Sequence, residues 1–380
     1  MLAFRLFPFV QAIIILCFFI YPIEHLNKKV KWALAIILGL SSLKIYTFVL
    51  TGGTMMDPNL TRTLSIILNT LYFTSIFVFL LTVIRMGING LFKLIKKDKT
   101  RFIIPAKSSR YALTFLVLSF LISCKGIYNG FDKPVLTEYQ IEIANLSVAA
   151  DNFKIVQLSD LHISLPTRES DIENIVDRVN RLKADLIVIT GDLIDGEVEA
   201  LEPKTKILFN LKAKYGVYGV SGNHEFYSGY QEWVDYFTNG GIPFLENKTV
   251  IIKDESGTPL FNLAGLIDKA AERFDMTEPD VEAVKPFLDK NIPSIFLAHQ
   301  PKLCLDLEDL SALTLSGHTH GGMMPGLATL IKIANGGLVS GYYKLGNEQV
   351  IVSNGTQIWA GVPLRIGILS QINLITLKSK

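Results

Sequence analysis

Five times between residues 153 and 320 a short apolar run breaks off at an Asp, an Asn or a His. Residues 153–158 end at Ser159-Asp160, Leu186–Thr190 at Gly191-Asp192, and residues 216–221 at Gly222-Asn223-His224. Residues 294–298 end at His299, and Leu313–Ser316 at Gly317-His318. Runs of this length bounded by turn residues read as buried strands. After the first of them, Glu169–Leu182 places Ile172, Ile175, Val176, Val179 and Leu182 on one helical face. Strands mixed with helices specify an α/β layer structure, and ligands of such sheets bind just beyond the carboxyl ends of the strands. The five polar segments are therefore expected to converge on one sheet edge. Residues 136–146, 349–353 and 365–377 read as further strands, and no internal repeat is visible.

The first 130 residues differ in kind. They hold 15 Lys+Arg against 3 Asp+Glu, whereas the remainder holds 22 against 32 and carries a net charge of −10. Charged residues make up 19% of the chain, below the roughly 25% usual for soluble domains. Apolar stretches occupy residues 6–23, 32–50, 64–84 and 111–124, the last reaching 128 if Lys125 snorkels. A spanning helix needs about 20 apolar residues, so the expectation is an all-α transmembrane region over 1–130 with about four spans. The globular domain then covers 131–380. A cleavable signal peptide is the rival reading of the first stretch, but later spans follow it and no small-residue site closes it. Lys44, inside the second stretch, must snorkel or face protein.

Basic loops stay on the cytoplasmic side. Lys28, Lys29 and Lys31 lie between the first two stretches. Arg85, Lys93, Lys96, Lys97, Lys99, Arg101, Lys107 and Arg110 lie between the last two, and only Arg62 lies between the second and third. Everything after Cys124 is then expected outside, in a multi-pass membrane protein with an extracytoplasmic catalytic domain. Without the fourth span that domain is cytoplasmic. The basic run to Arg110 either sets topology alone or also attracts anionic membrane lipid. Three cysteines exclude a disulfide scaffold, and Cys304 reads as buried. An acidic domain is a poor holder of nucleic acid.

Five of the six histidines, His162, His224, His299, His318 and His320, sit at the strand ends, with Asp160, Asp192 and Asp195 at matching positions. Imidazoles mixed with hard oxygen ligands and no thiolates suit Mn, Fe or Zn in a reactive site. The set is too large for one ion. Two ions sharing an anionic bridge clamp the attacking and leaving oxygens of a phosphate.

In order, the segments are Asp160-Leu161-His162, Gly191-Asp192-Leu193-Ile194-Asp195, Gly222-Asn223-His224-Glu225, His299, and Gly317-His318-Thr319-His320-Gly321. This series resembles the calcineurin-like metallophosphoesterase superfamily, with its blocks DxH, GDxxD, GNH(D/E), H and GHxH, over residues 136–380. GHTHGG and the later Pro363-Leu364-Arg365-Ile366-Gly367 are similar to its membrane-associated bacterial branch, although Met323 stands where that branch usually has Gln. The resemblance implies a four-layer α-β-β-α sandwich and two divalent metal ions. Asp160, His162, Asp192 and His320 would hold the first ion, and Asp192, Asn223, His299 and His318 the second. It also implies hydrolysis of phosphate mono- or diesters through a metal-bridging hydroxide. His224 would protonate the leaving oxygen, and Asp195 would orient its ring or else cap the next segment. Gly191, Gly222 and Gly317 would make the turns that aim each following ligand. Glu225 is supporting or structural, and Asn354 either forms a turn or touches phosphate.

Residues 323–343 are rich in Gly and apolar side chains and follow the last ligands directly. They read either as a lipid-facing rim, which suits a lipid-linked phosphate or pyrophosphate, or as a loop buried on the sheet. A nuclease on the same metals and a non-catalytic metal or phosphate sensor are the rival functions. Oligomeric state is not readable.

Overall fold

A computed structural model describes residues 2–54, 57–96, 104–307 and 310–380. The chain divides into two compact units, Met1–Tyr128 and Asn129–Lys380.

The first unit is helical. A helix over Leu2–Ile14 runs into a π-helical turn, Ile15–Ile20. Lys28–Ser42 follows, its first turn capped by the Asn27 side chain accepting from the Lys29 amide. The second apolar stretch is not one straight helix, because Lys28–Ser42 and Lys44–Leu50 meet at 68°. Lys44 sits at that break, buried, donating to Asn69 Oδ1 at 2.8 Å and lying 4.3 Å from the Tyr72 ring centre. It faces protein rather than snorkelling. Two helices, Arg62–Ile95 and Ser109–Gly130, are long and apolar enough to cross a membrane. The latter runs unbroken for 22 residues through Lys125. Of the basic loop, Lys97, Lys99 and Arg101 lie outside the described residues.

In the second unit, β1 (Val135–Ile143), β2 (Lys154–Leu158), β3 (Leu186–Thr190), β4 (Val217–Val220) and β11 (Gln371–Ser379) form one sheet in the order β1-β11-β2-β3-β4. The other sheet contains β5 (Lys248–Lys253), β6 (Pro259–Gly265), β7 (Ser294–Leu297), β8 (Leu313–Ser316), β9 (Gly341–Leu345) and β10 (Glu348–Val352), ordered β5-β6-β7-β8-β10-β9. Within them β2-β3-β4 and β6-β7-β8-β10 run parallel. Alternation of side chains decides what each face meets. Ile155, Leu186, Val188 and Val220 point from the first sheet into a core shared with Phe261, Leu263, Leu297 and Leu315 of the second. Val156, Leu158, Ile187 and Ile189 point the other way, onto Ile172, Ile175, Val176 and Val179 of the Glu169–Leu182 helix. Ala264, Phe296 and Ala298 carry the outer face of the second sheet, against Val284 and Leu307. The result is the four-layer α-β-β-α sandwich. Each fully buried aliphatic side chain contributes about 1.5–3 kcal/mol, so these cores fix the strands and leave the loops at their ends free to carry strain.

Two readings change. The last strand begins at Gln371, not at 365, because Arg365 is fully buried in a loop where its Nη2 donates to the carbonyls of Asn354 and Gln357 at 2.6 and 2.7 Å. Segment 323–343 is not a plain loop. Leu327–Ala334 is a helix with no buried residue, while Leu338 beyond it is buried with Val350 and Val352.

Candidate metal centre

Because β2, β3 and β4 run parallel, as do β7 and β8, their carboxyl ends fall on one edge of the sandwich. Beyond them lie Asp160 and His162, Asp192 and Asp195, Asn223 and His224, His299, and His318 and His320. The loops after β2 and β3 are sewn together: the His162 and Ile163 amides donate to the Asp192 and Leu193 carbonyls, and the Asp195 amide returns to Ile163. Asp160, His162, Asp192, His318 and His320 all adopt positive φ, between 42° and 70°. That conformation costs a non-glycine residue about 1–3 kcal/mol and persists only where the surroundings impose it. Here the backbone bonds just named impose it, with the His318 amide donating to the Asp160 carboxylate at 3.0 Å.

The glycines work differently from the turn role expected of all three. Gly191 has φ +81°, but Gly222 and Gly317 do not need the left-handed region. They are required for space. A Cβ on Gly222 would stand 2.5 Å from the Asp192 backbone nitrogen, and one on Gly317 would stand 1.9 Å from Ser159 Oγ.

The side chains form three overlapping groups whose ligand atoms lie within 4.8 Å of one another: Asp160-His162-His320, His162-Asp192-His224 and Asp192-His299-His318. Asp192 Oδ2 stands 3.1 Å from His299 Nε2 and 3.8 Å from His162 Nε2, so one carboxylate oxygen faces members of both outer groups. His162 Nε2 and His320 Nε2 approach to 3.0 Å. At that separation the two nitrogens share either a proton or a cation. His299 Nδ1–H donates to the Thr190 carbonyl at 2.8 Å, which leaves Nε2 as the atom turned to Asp192, to carry a proton or a cation. The Asn223 Oδ1 atom is buried and has no hydrogen-bond partner among the described residues. Buried polar atoms are ordinarily paired, so this orphan aimed among metal-ligating groups fits a cation as its partner.

Electrostatics agree. Burial opposes charge on Asp192, but the imidazoles of His299, His224 and His162 outweigh it and hold the carboxyl well below its usual range. His299 is held well above the imidazole range, burial again being outweighed by Asp192 and Asp160. Both shifts are the mutual attraction of Asp192 and His299. Burial and the neighbouring His299 push His318 down to about 3, so it is the neutral imidazole that metal binding requires.

Asp195 does more than expected. Its Oδ1 accepts from Nδ1–H of His224 at 2.5 Å and from Nδ1–H of His162 at 3.2 Å, so it orients both rings and caps nothing. Asp195→Asn is therefore expected to weaken metal retention as well as turnover, each by about 10- to 100-fold. Metal content after dialysis checks this, since loss of turnover alone would assign Asp195 to His224 only. Glu225 is a backbone clamp: its carboxylate accepts from the amides of Gly222, Asp192 and Leu193 at 2.6, 3.0 and 2.6 Å. Asn354 is committed to Ser340 and Gln371, in keeping with its turn reading. Cys304 is buried, and burial pushes its thiol up to about 12.

Four residues near the centre had no role in the sequence. Ser159 Oγ donates to Asp160 Oδ2 at 2.5 Å. Arg365 Nη1 donates to the His320 carbonyl at 3.3 Å, with Nη2 3.4 Å from its Nδ1. The Tyr227 and Trp359 rings stand edge-on to His224, with centres 5.5 and 5.7 Å away. Only Arg365 had a signal, inside the Pro363–Gly367 motif.

A family model described as calcineurin-like phosphoesterase matches residues 153–322. An uncharacterized metallophosphoesterase of Campylobacter jejuni is 33% identical over 288 residues, covering 75% of this chain and 74% of that protein. A Danio rerio protein described as a transmembrane protein with metallophosphoesterase domain is 30% identical over 299 residues, covering 77% and 68%. An uncharacterized metallophosphoesterase of Bacillus subtilis is 32% identical over 253 residues, covering 64% and 85%.

Proposed function

The chain belongs to the calcineurin-like metallophosphoesterases, and from that premise we propose that it is a membrane-anchored binuclear hydrolase of phosphate mono- or diesters. The observation that carries this reading is Asp192, whose Oδ2 faces His162 and His299 in separate ligand groups. On this reading Asp160, His162, Asp192 and His320 hold one divalent cation, and Asp192, Asn223, His299 and His318 the other. The imidazole and oxygen donors suit Mn, Fe or Zn. When bound, the pair supplies hydroxide at neutral pH and neutralises charge on the phosphoryl oxygens.

The protein's own side chains supply the rest. On this reading His224, although it shares a group with His162 and Asp192, is left without a cation: Asp195 holds its Nδ1, and its ring lies against Tyr227 and Trp359. It is placed to give a proton to the leaving oxygen. The rings of Tyr227 and Trp359 flank it. Purified full-length chain in detergent is expected to hydrolyse p-nitrophenyl phosphate or bis-p-nitrophenyl phosphate with Mn²⁺ and to stop with EDTA. A folded, Mn²⁺-loaded chain that hydrolyses neither would sink the reading.

The substrate is a lipid-linked phosphate or pyrophosphate. This rests on the Leu327–Ala334 helix, which packs so closely on Gly322, two residues from His320, that a Cβ there would lie 2.4 Å from Ala328. Its Leu330 and Ile333 are 65% and 73% exposed. Replacing both by Ser should lower hydrolysis of a micellar lipid phosphate at least about tenfold relative to p-nitrophenyl phosphate, since full burial is worth about 1.5–3 kcal/mol per aliphatic side chain and even partial insertion of the pair exceeds the roughly 1.4 kcal/mol of a tenfold change. An unchanged ratio removes the lipid. Two membrane-length helices and the basic loops support a multi-pass protein whose catalytic unit is extracytoplasmic.

A further inference from the structure

On the side of Asn223 and His318 the centre opens into a cavity of about 210 Å³, walled by Tyr227, Lys269, Arg273 and Gln300. We propose that this cavity binds a second phosphoryl group of the substrate, attached beside the one that is cleaved, so that the substrate is of the pyrophosphate type. The proposal rests on the phosphoesterase reading and adds to it what lies next to the scissile group.

The cations are set there by packing. Lys269 and Arg273 belong to the short Lys269–Phe274 helix, whose Ala270 and Ala271 are buried against Phe226 and Ile267. Asp268 caps it by accepting from the Ala270 amide at 2.7 Å, and the same oxygen accepts from Gln300 Nε2 at 3.0 Å, next to His299. The segment is thereby tied to the candidate metal centre. Arg273 Nη1 donates to the Tyr227 hydroxyl at 3.4 Å, and the Tyr227 ring stands against His224. One aromatic side chain thus links the group that serves the leaving oxygen to a guanidinium.

Charge in the cavity runs against its surroundings. The globular part of the chain is net −10, yet two cations line this wall beside the ligands of the second cation. Glu272 is the acidic residue of the wall. Its carboxylate lies 3.6 Å from Lys269 Nζ, with both side chains well exposed, an arrangement worth little in water. A monoester with a neutral leaving group has nothing to offer Lys269 and Arg273. A second phosphoryl oxygen reaching past Asn223 meets both. Charge-assisted hydrogen bonds contribute about 1.5–3 kcal/mol, and partial exposure puts these at the low end, near a tenfold preference.

The test is calorimetric titration of the full-length, Mn²⁺-loaded protein, freed of unbound metal, with methylphosphonate and with methylenediphosphonate. Metal content is measured before and after. The wild type should bind the diphosphonate at least about tenfold more tightly. Lys269→Gln with Arg273→Gln should abolish that preference and leave methylphosphonate within about twofold, whereas Arg273→Lys, which keeps the charge, should retain most of it. No preference in the wild type, preference surviving in the double variant, or equal weakening of both ligands would overturn the proposal. Binding needs no turnover, so an absence of ester hydrolysis, which would defeat the phosphoesterase reading, is read separately.

Discussion

Asp192→Asn is expected to leave the purified chain with at most one tightly held cation and to lower kcat/KM for p-nitrophenyl phosphate by about 10³-fold or more. The reason is position. Asp192 Oδ1 already accepts from the His224 amide at 2.8 Å, so Oδ2 alone faces His299 on one side and His162 on the other. An amide there has no charge to hold two cations together. The electrophilic help they give to a phosphoryl transition state is worth several kcal/mol, and each 1.36 kcal/mol is tenfold in rate. Metal analysis after dialysis, with circular dichroism to verify the fold, checks both halves. Two retained cations with more than a tenth of wild-type activity would show that Asp192 is not the shared ligand.

His224→Ala should behave in the opposite way toward metal. Its imidazole is anchored by Asp195 and contacts Tyr227 and Trp359 rather than closing a ligand group at either end. Both cations should remain, while hydrolysis falls by about 10²–10⁴, the range for a lost general acid. The loss should depend on the leaving group. An alkoxide needs the proton that a nitrophenolate does without, so an alkyl phosphate should suffer far more than p-nitrophenyl phosphate. Equal losses on both esters would assign His224 to charge stabilisation instead of proton transfer.

How much of this was legible beforehand follows from what each feature depends on. The strands ending at Asp160, Asp192, His224, His299 and His318 depend on local pattern, and so does the helix Glu169–Leu182 with its apolar face. Their convergence follows from the parallel order of the sheets. The hairpin β5–β6 is not legible by pattern, because the apolar run of Lys248–Lys253 is only Val250-Ile251-Ile252, shorter than a strand signal, in a segment with Lys at both ends. The helix Leu327–Ala334 reads as loop because it is only eight residues long, too short for Thr329 and Lys332 to establish a helical period. The left-handed backbone of Asp160, His162, Asp192, His318 and His320 was not readable either. Nothing local calls for it, and it exists because amides and carbonyls of separate loops hold one another. Likewise the pairing of Asp195 with His162 joins residues 33 apart, and Arg365 reaches His320 across 45. Motif spacing names the residues of such a centre but not the bonds between them.

Counting the cations required for turnover tests the binuclear centre most directly. Metal-free full-length protein is titrated with Mn²⁺ while hydrolysis of bis-p-nitrophenyl phosphate is followed. Activity should rise to its plateau at two equivalents per chain, and Asp192→Asn should never reach it. Full activity at one equivalent, or none with two equivalents bound to the folded chain, would contradict a phosphoesterase built on a pair of cations sharing Asp192.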